Sequence, residues 1–176
     1  RKGYQEIWNP MLYKKDLYIK SGHYTHYKEA MFIFKHEHED TEYCLKPMNC
    51  PDTFLYYTSK RRSFRELPLR IAEGGILHRN EMAGALNGLF RVRQFMQDDA
   101  HIFVMPDQVQ SEIAEVLGIV AEVYALFGLS YSFQLSTRHP EKFMGEIEVW
   151  DKAESDLRAA LDNGGYTYTT DEGGGA

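Results

Sequence analysis

The sequence predicts an α+β domain. Two long amphipathic helical stretches stand in its C-terminal half, a group of short strand candidates fills its middle, and these strands follow one another closely enough to pair antiparallel. At 176 residues, with 43% hydrophobic and 14% aromatic content, the chain can bury a sizeable core in one domain. No stretch approaches the roughly eighteen continuous apolar residues of a membrane span, so no membrane partner is expected. The opening Arg1-Lys2-Gly3-Tyr4-Gln5-Glu6 has no apolar run behind it, which argues against a leader and for a cytoplasmic location. Cys44 and Cys50 alone make no disulfide framework.

In the middle of the chain, strands are predicted over Arg70 to Glu73, Leu77 to Glu81, Leu89 to Phe95 and Gln97 to Val104, with Gly84 and Gly88 marking a hairpin loop between the second and third. The first helix follows Pro106, a residue suited to a first helical turn, with Asp107 beside it. Val109, Ile113, Val116, Leu117, Val120, Val123 and Phe127 then recur at helical spacing until Gly128. Leu129 to Leu135 alternates apolar with polar, the period of a half-buried strand. The second helix is predicted from Ile147 to Leu161, ended by Asn163-Gly164-Gly165, and Tyr166 to Thr170 is a further strand candidate.

Charge is unevenly spread. From Lys60 to Arg93, eight Lys or Arg stand against three acids, a local excess of +5 in a chain whose net charge is −6. A basic segment on an acidic domain suits an anionic ligand gripped at one place, such as a nucleotide or an RNA end; solvated or surface-paired arginines would look the same.

Residues two apart on a strand share a face, so Gln97, Asp99 and His101 project together. The same rule groups Arg79 with Glu81, Arg91 with Arg93 and Phe95, and Met48 with Cys50. Several neighbouring strands with such faces predict the floor of a polar site. Cys50 and His101 are ligand types that zinc prefers, yet their separation in sequence says nothing of distance, and a buried thiol with a hydrogen-bonded imidazole is the alternative. Cys44 reads as core, and His23 and His26 read as loop imidazoles.

Five segments carry a family resemblance: Met48-Asn49-Cys50-Pro51, Leu67-Pro68-Leu69-Arg70-Ile71-Ala72-Glu73, His78-Arg79-Asn80-Glu81, Gly88-Leu89-Phe90-Arg91-Val92-Arg93 and Gln97-Asp98-Asp99-Ala100-His101-Ile102-Phe103. In this order they resemble the threonyl-tRNA synthetases, which are class II aminoacyl-tRNA synthetases. The likeness extends over almost the whole chain, from Ser21 to Phe32 through Pro106-Asp107-Gln108 to Ser136-Thr137-Arg138. It implies a class II synthetase-like antiparallel sheet flanked by helices. It also implies that residues 1–176 are a partial catalytic domain, truncated at both ends, with the end of motif 1 near Pro10 and all of motif 2. Motif 3 and the editing and anticodon-binding domains are expected outside it, and the chain alone is expected to be inactive.

The resemblance further implies site residues. Arg79, Glu81, Arg91 and Phe95 would bind ATP with magnesium: Arg79 on the α-phosphate as the catalytic group, Arg91 on the outer phosphates, Phe95 stacked on adenine and Glu81 accepting from its amine. The loop from Met82 to Gly88 would approach the acceptor end of the threonine tRNA. Met48, Gln97 and Asp99 would line the threonine pocket, Asp99 accepting from the hydroxyl. Cys50 and His101 would hold zinc, with a third ligand expected beyond Ala176; His139 is not promoted to that role. A homodimer through motif 1 is implied as well.

Departures from the family pattern are Asp52-Thr53 in place of Gly-His, Asn87 in place of His, Gln94 and Met96 in place of Gly and Thr, and Val104 in place of Cys. The implied activity is threonine activation with ATP and transfer to tRNA. A silent synthetase-like binding or regulatory module is the alternative, disfavoured by the joint presence of the site residues. A relative that activates serine or proline would have no use for zinc.

Overall fold

The computed structural model describes residues 2–175, and the chain divides into two compact units, Arg1–Phe103 and Val104–Ala176.

The first unit is built on a sheet in which β1 (Gln5–Glu6) runs parallel to β5 (Leu69–His78), which pairs antiparallel with β6 (Gln94–Phe103). A second antiparallel sheet has the order β2 (Leu12–Lys14), β4 (Glu42–Leu45), β3 (Ile33–Lys35). Helices α1 (Lys15–Lys20) and α2 (His23–Tyr27) connect its strands. Between the sheets in sequence comes α3 (Cys50–Thr58). Tyr18, Met31 and Cys44 form a buried cluster here, and burial pushes the Cys44 thiol up to about 11, as suits an inert core cysteine.

Four strand candidates become two strands of ten residues each, paired without interruption from Leu69↔Phe103 to His78↔Gln94. Leu77 to Glu81 stops as strand at His78, and Leu89 to Phe95 is strand only from Gln94. The Gly74-Gly75 pair looks like a strand end in sequence, yet pairing with Asp98 and Gln97 carries the ladder through it. Residues 79–93 form the connection, with a short 3-10 turn at Ala83–Ala85 and Gly88 at φ +50° closing the Asn87–Arg91 bridge.

A second correction concerns Met48 and Cys50, which do not share a strand face. Cys50 is the first residue of α3, with Pro51 in the opening turn, where its missing N–H costs nothing, and Asp52 beside it at the positive end of the helix.

In the second unit, α4 (Val109–Phe127) ends at Gly128 in the left-handed conformation, and α5 (Ile147–Asn163) packs beside it. The parallel pair β7 (Phe133–Arg138) and β8 (Tyr168–Gly175) completes the unit, with Leu117, Leu135 and Leu161 at its centre. Both strands start later than their sequence signals. Tyr131 is held by its ring contacts to Tyr124 and Phe133 rather than by strand pairing, and β8 extends through the terminal glycines, where Gly173 donates to Thr137 Oγ1.

Candidate active site

The register of β5 and β6 decides which side chains meet. Directly paired residues share a face, so Phe95, Gln97, Asp99 and His101 stand opposite Leu77, Gly75, Glu73 and Ile71. This face is half-buried on β6 and buried on β5, whereas Gln94, Met96, Asp98 and Ala100 on the other side are exposed. The grouping of Gln97, Asp99 and His101 therefore holds. Two of the departures, Gln94 and Met96, fall on the opposite side, where Gln94 Oε1 pairs with His78 Nε2 at 3.1 Å.

Helix α3 borders the far end of this face. Phe54, one turn beyond Cys50, meets the ring of His101 edge-on with centroids 6.3 Å apart, and Tyr57 stacks on Phe103 at 4.0 Å. Asn49, just before the helix, donates from Nδ2 to Asp99 Oδ2 at 3.1 Å. Burial first, and then the negative charge of Asp99, pushes the Cys50 thiol up. Cys50 on α3 and His101 on β6 thus stand on two elements that meet through the Phe54–His101 contact and, just before the helix, the Asn49–Asp99 hydrogen bond. Among the described residues no three His, Cys, Asp or Glu side chains gather as a metal-binding group. Met48 is half-buried next to Asn49. His139 Nδ1 instead accepts from the backbone of Glu141 and Lys142, and His23 pairs with Ser21 Oγ at 2.8 Å.

At the other end lie the arginines. Arg79 pairs through its backbone with Arg93 at 2.8 Å, donates from Nε to Pro47 O at 3.3 Å, and sets its guanidinium 5.0 Å from the centre of the Phe95 ring. Glu81 takes an ion pair from Arg91 at 2.9 Å, and its carbonyl accepts from Arg93 Nε at 2.9 Å. Arg79 and Glu81 are not strand residues, as the sequence pattern had them; a tight turn, Glu81 N to Arg79 O at 2.8 Å, holds them. Asn87, another departure, is joined to Arg91 through backbone atoms only, a pairing that any side chain permits.

On the buried β5 part of the same face, around Glu73, sits a charge cluster. Lys46 Nζ lies 2.9 Å from Asp52 Oδ2 and 2.8 Å from Glu73 Oε1, with all three side chains at most 4% exposed. Asn9 donates twice to Glu73, and Tyr13 OH and Thr53 N donate to Asp52. Burial pushes the Asp52 carboxyl up against the opposing pull of Lys46. One cleft of about 440 Å³ lies between Lys14 and Glu42, and one of about 290 Å³ is lined by Tyr4, Glu6, Ala72, Gly74 and Asp98 together with Glu73.

Residues 32–167 match the family described as tRNA synthetase class II core domain (G, H, P, S and T). The chain belongs to this class II core-domain family. Among relatives, it is 49% identical over 174 residues to a threonine–tRNA ligase of Carboxydothermus hydrogenoformans, covering 99% of this chain and 27% of that protein. It is 48% identical over 176 residues to a cytoplasmic threonine–tRNA ligase of Saccharomyces cerevisiae, covering 100% and 24%. The chain thus spans about a quarter of the length of these relatives. A crystal structure of the RNA-binding domain of threonyl-tRNA synthetase from Cryptosporidium parvum superposes with a TM-score of 0.91 at 44% identity, over 98% of this chain and 42% of that one. The class II fold expected from the motifs is therefore present.

Sequence reasoning missed several residues that pack on this class II face. Asn49 had one signal, a glycine at position 75 inside a strand, which marks close approach of another group. Lys46, Asp52 and Glu73 carried none, because a charged residue reads as exposed until its buried partner is known.

Proposed function

We propose that the chain is the ATP- and threonine-binding part of a threonine–tRNA ligase. The carrying observation is the single face of β6 on which Phe95, Gln97, Asp99 and His101 follow one another, with Arg79 over one end and Cys50 at the border of the other. At ~3.4 Å per residue, Phe95 and Asp99 are about 14 Å apart, room for a nucleotide and an amino acid laid end to end.

In this reading Phe95 stacks on adenine, and Arg91 takes the outer phosphates of magnesium-bound ATP. Glu81 then gives up its ion pair with Arg91 to accept from the adenine amine. The threonine carboxylate attacks the α-phosphorus, a new P–O bond forms, and pyrophosphate leaves with the electrons of the broken one. Arg79 stabilises the charge that develops on the α-phosphoryl oxygens, where a fixed guanidinium counts most. Threonine then passes to the tRNA end, which the connection 79–93 approaches with exposed Met82, Leu89 and Phe90 and the cations Arg91 and Arg93.

Selection is the task of the other end. Cys50 and His101 fit zinc by donor type, and of the causes that push the thiol up, burial first and the negative charge of Asp99 second, the second is one a cation relieves. Zinc held there, with a third donor from elsewhere, would offer open positions to the amino and hydroxyl groups of threonine, which valine cannot fill. Asp99 accepts from the same hydroxyl, and Gln97 and Met48 line the pocket. A dimer through the first strands is supported by exposed Trp8, Met11 and Leu12.

ATP–pyrophosphate exchange by the natural protein carrying this chain tests the reading. Exchange that depends on threonine, and is at least about a hundredfold weaker with valine, supports it; exchange driven by serine or proline alone, or none, refutes it.

A further inference from the structure

Asn49 stands between Met48 and Cys50, and its side chain does something that neither neighbour does. Fully buried, it donates from Nδ2 to Asp99 Oδ2 at 3.1 Å, while Asp99 Oδ1 accepts from the backbone N of Ala100 at 2.8 Å. The two oxygens of Asp99 are thereby held from two directions, which leaves the carboxylate one orientation. The other amide atom of Asn49, Oδ1, is buried with no hydrogen-bond partner among the described residues. An unsatisfied buried carbonyl works against folding, so its position calls for an explanation other than stability.

The space for Asn49 is made by a glycine. A Cβ added at Gly75 would lie 2.4 Å from Asn49 Oδ1 and 3.0 Å from both Cγ and Nδ2, an overlap that must push the amide away. Its neighbour Gly74 has nothing within 4 Å of an added Cβ. Gly75 has no positive φ, so the demand for glycine there comes from Asn49 and not from the backbone. Gly75 pairs with Gln97, and Glu73 next along the face pairs with Asp99, so the amide spans the two residues of the site expected to touch threonine.

We propose that Asn49 is a positioning residue for amino-acid selection: seated in the space left by Gly75, it fixes the Asp99 carboxylate in the orientation that receives the threonine hydroxyl. The inference rests on the reading of this face as a threonine pocket. It adds that selectivity depends on a buried amide that touches no substrate, and on a glycine one strand away.

Steady-state exchange kinetics on the natural protein test it with three variants, Asn49→Ala, Gly75→Ala and Gly74→Ala, each assayed with threonine, valine and ATP. Asn49→Ala is expected to lower kcat/KM for threonine about tenfold to a hundredfold, the range for one hydrogen bond to a charged group. The loss should appear mostly in the threonine KM, narrow the threonine-to-valine ratio by the same factor, and leave the ATP KM unchanged. Gly75→Ala is expected to move the same ratio in the same direction without touching Asn49 chemically, and Gly74→Ala to leave it as in wild type. Should Asn49→Ala fail to fold, Gly75→Ala decides. A folded Asn49→Ala or Gly75→Ala with the wild-type ratio overturns the proposal, as does an equal loss towards threonine, valine and ATP, the mark of a merely structural defect. Absence of threonine-dependent exchange in the wild type is a different result: it removes the pocket reading first, and this inference with it.

Discussion

The guanidinium of Arg79, which opens the 79–93 connection, lies 5.0 Å from the centre of the ring of Phe95, which stands in β6 beyond that connection. The contact joins the start of the 79–93 segment to the start of β6 and sets a permanent positive charge beside an aromatic face. A base stacked on Phe95 would bring its phosphates within reach of that charge. Arg79 is also anchored through Nε to Pro47 O, so its charge is held in place before any ligand arrives.

Replacing Arg79 by lysine keeps the charge but loses the planar fork and its anchor. The expected outcome is a fall in the exchange rate at saturating substrates of about a hundredfold or more, with the unfolding midpoint nearly unchanged. Exchange kinetics paired with a thermal melt check both halves.

The Glu81–Arg91 pair should behave in the opposite sense to a structural salt bridge. With the Arg91 side chain 58% exposed, screening by water leaves the pair worth at most about 1 kcal/mol. Arg91→Ala is therefore expected to change stability by less than that and to raise the ATP KM about tenfold. Urea unfolding and ATP titration of the exchange rate measure the two effects separately.

How much of this was legible in sequence differs from element to element. Strand alternation grouped Gln97, Asp99 and His101 correctly, because β6 is regular and one of its faces is half-buried while the other is largely exposed. Helix α4 was legible in its apolar spacing from Val109 and in its end at Gly128, whereas Pro106 opens the 3-10 turn Pro106–Gln108 that leads into the helix and not the helix itself. Helix α3 was not: Cys50 to Thr58 has no amphipathic period, and its start is set by Pro51 and Asp52 together with tertiary contacts of Asn49. The long pairing of β5 with β6 was hidden because two adjacent glycines suggest a break, while the reason for Gly75 lies in a residue far off in the chain. Asp52, noted in sequence only as a departure, turns out to be a buried partner of Lys46.

That last contact has a consequence for stability. Lys46 is the cation between two buried carboxylates, and removing it leaves Asp52 and Glu73 buried without their counter-charge. Lys46→Met is expected to destabilise the domain by about 3–5 kcal/mol. Asp52→Asn keeps the Lys46–Glu73 pair and should cost clearly less. Urea unfolding of the two variants side by side checks the order.

In the second unit, Lys152 holds Asp156 with contacts of 2.6 and 2.5 Å, and Gln110 Nε2 donates to it at 3.1 Å. Lys152 first, and Gln110 second, keep the Asp156 carboxyl below its ordinary range. A depressed carboxyl contributes stability above the ordinary carboxylate range and loses it as the pH falls through the lower, folded value. Asp156→Asn should therefore melt earlier than wild type at neutral pH, with the gap closing on acidification. Melting midpoints taken from about pH 7 to about pH 2 show whether it does.

Cys50 and His101 are proposed to serve one metal. Zinc content per chain, measured by elemental analysis on the natural protein and on its Cys50→Ala and His101→Ala variants after identical purification, is the deciding measurement. About one zinc per chain in the wild type and a large loss in each folded variant is the expected result. Zinc absent from the wild type, or retained in full by both variants, would contradict it.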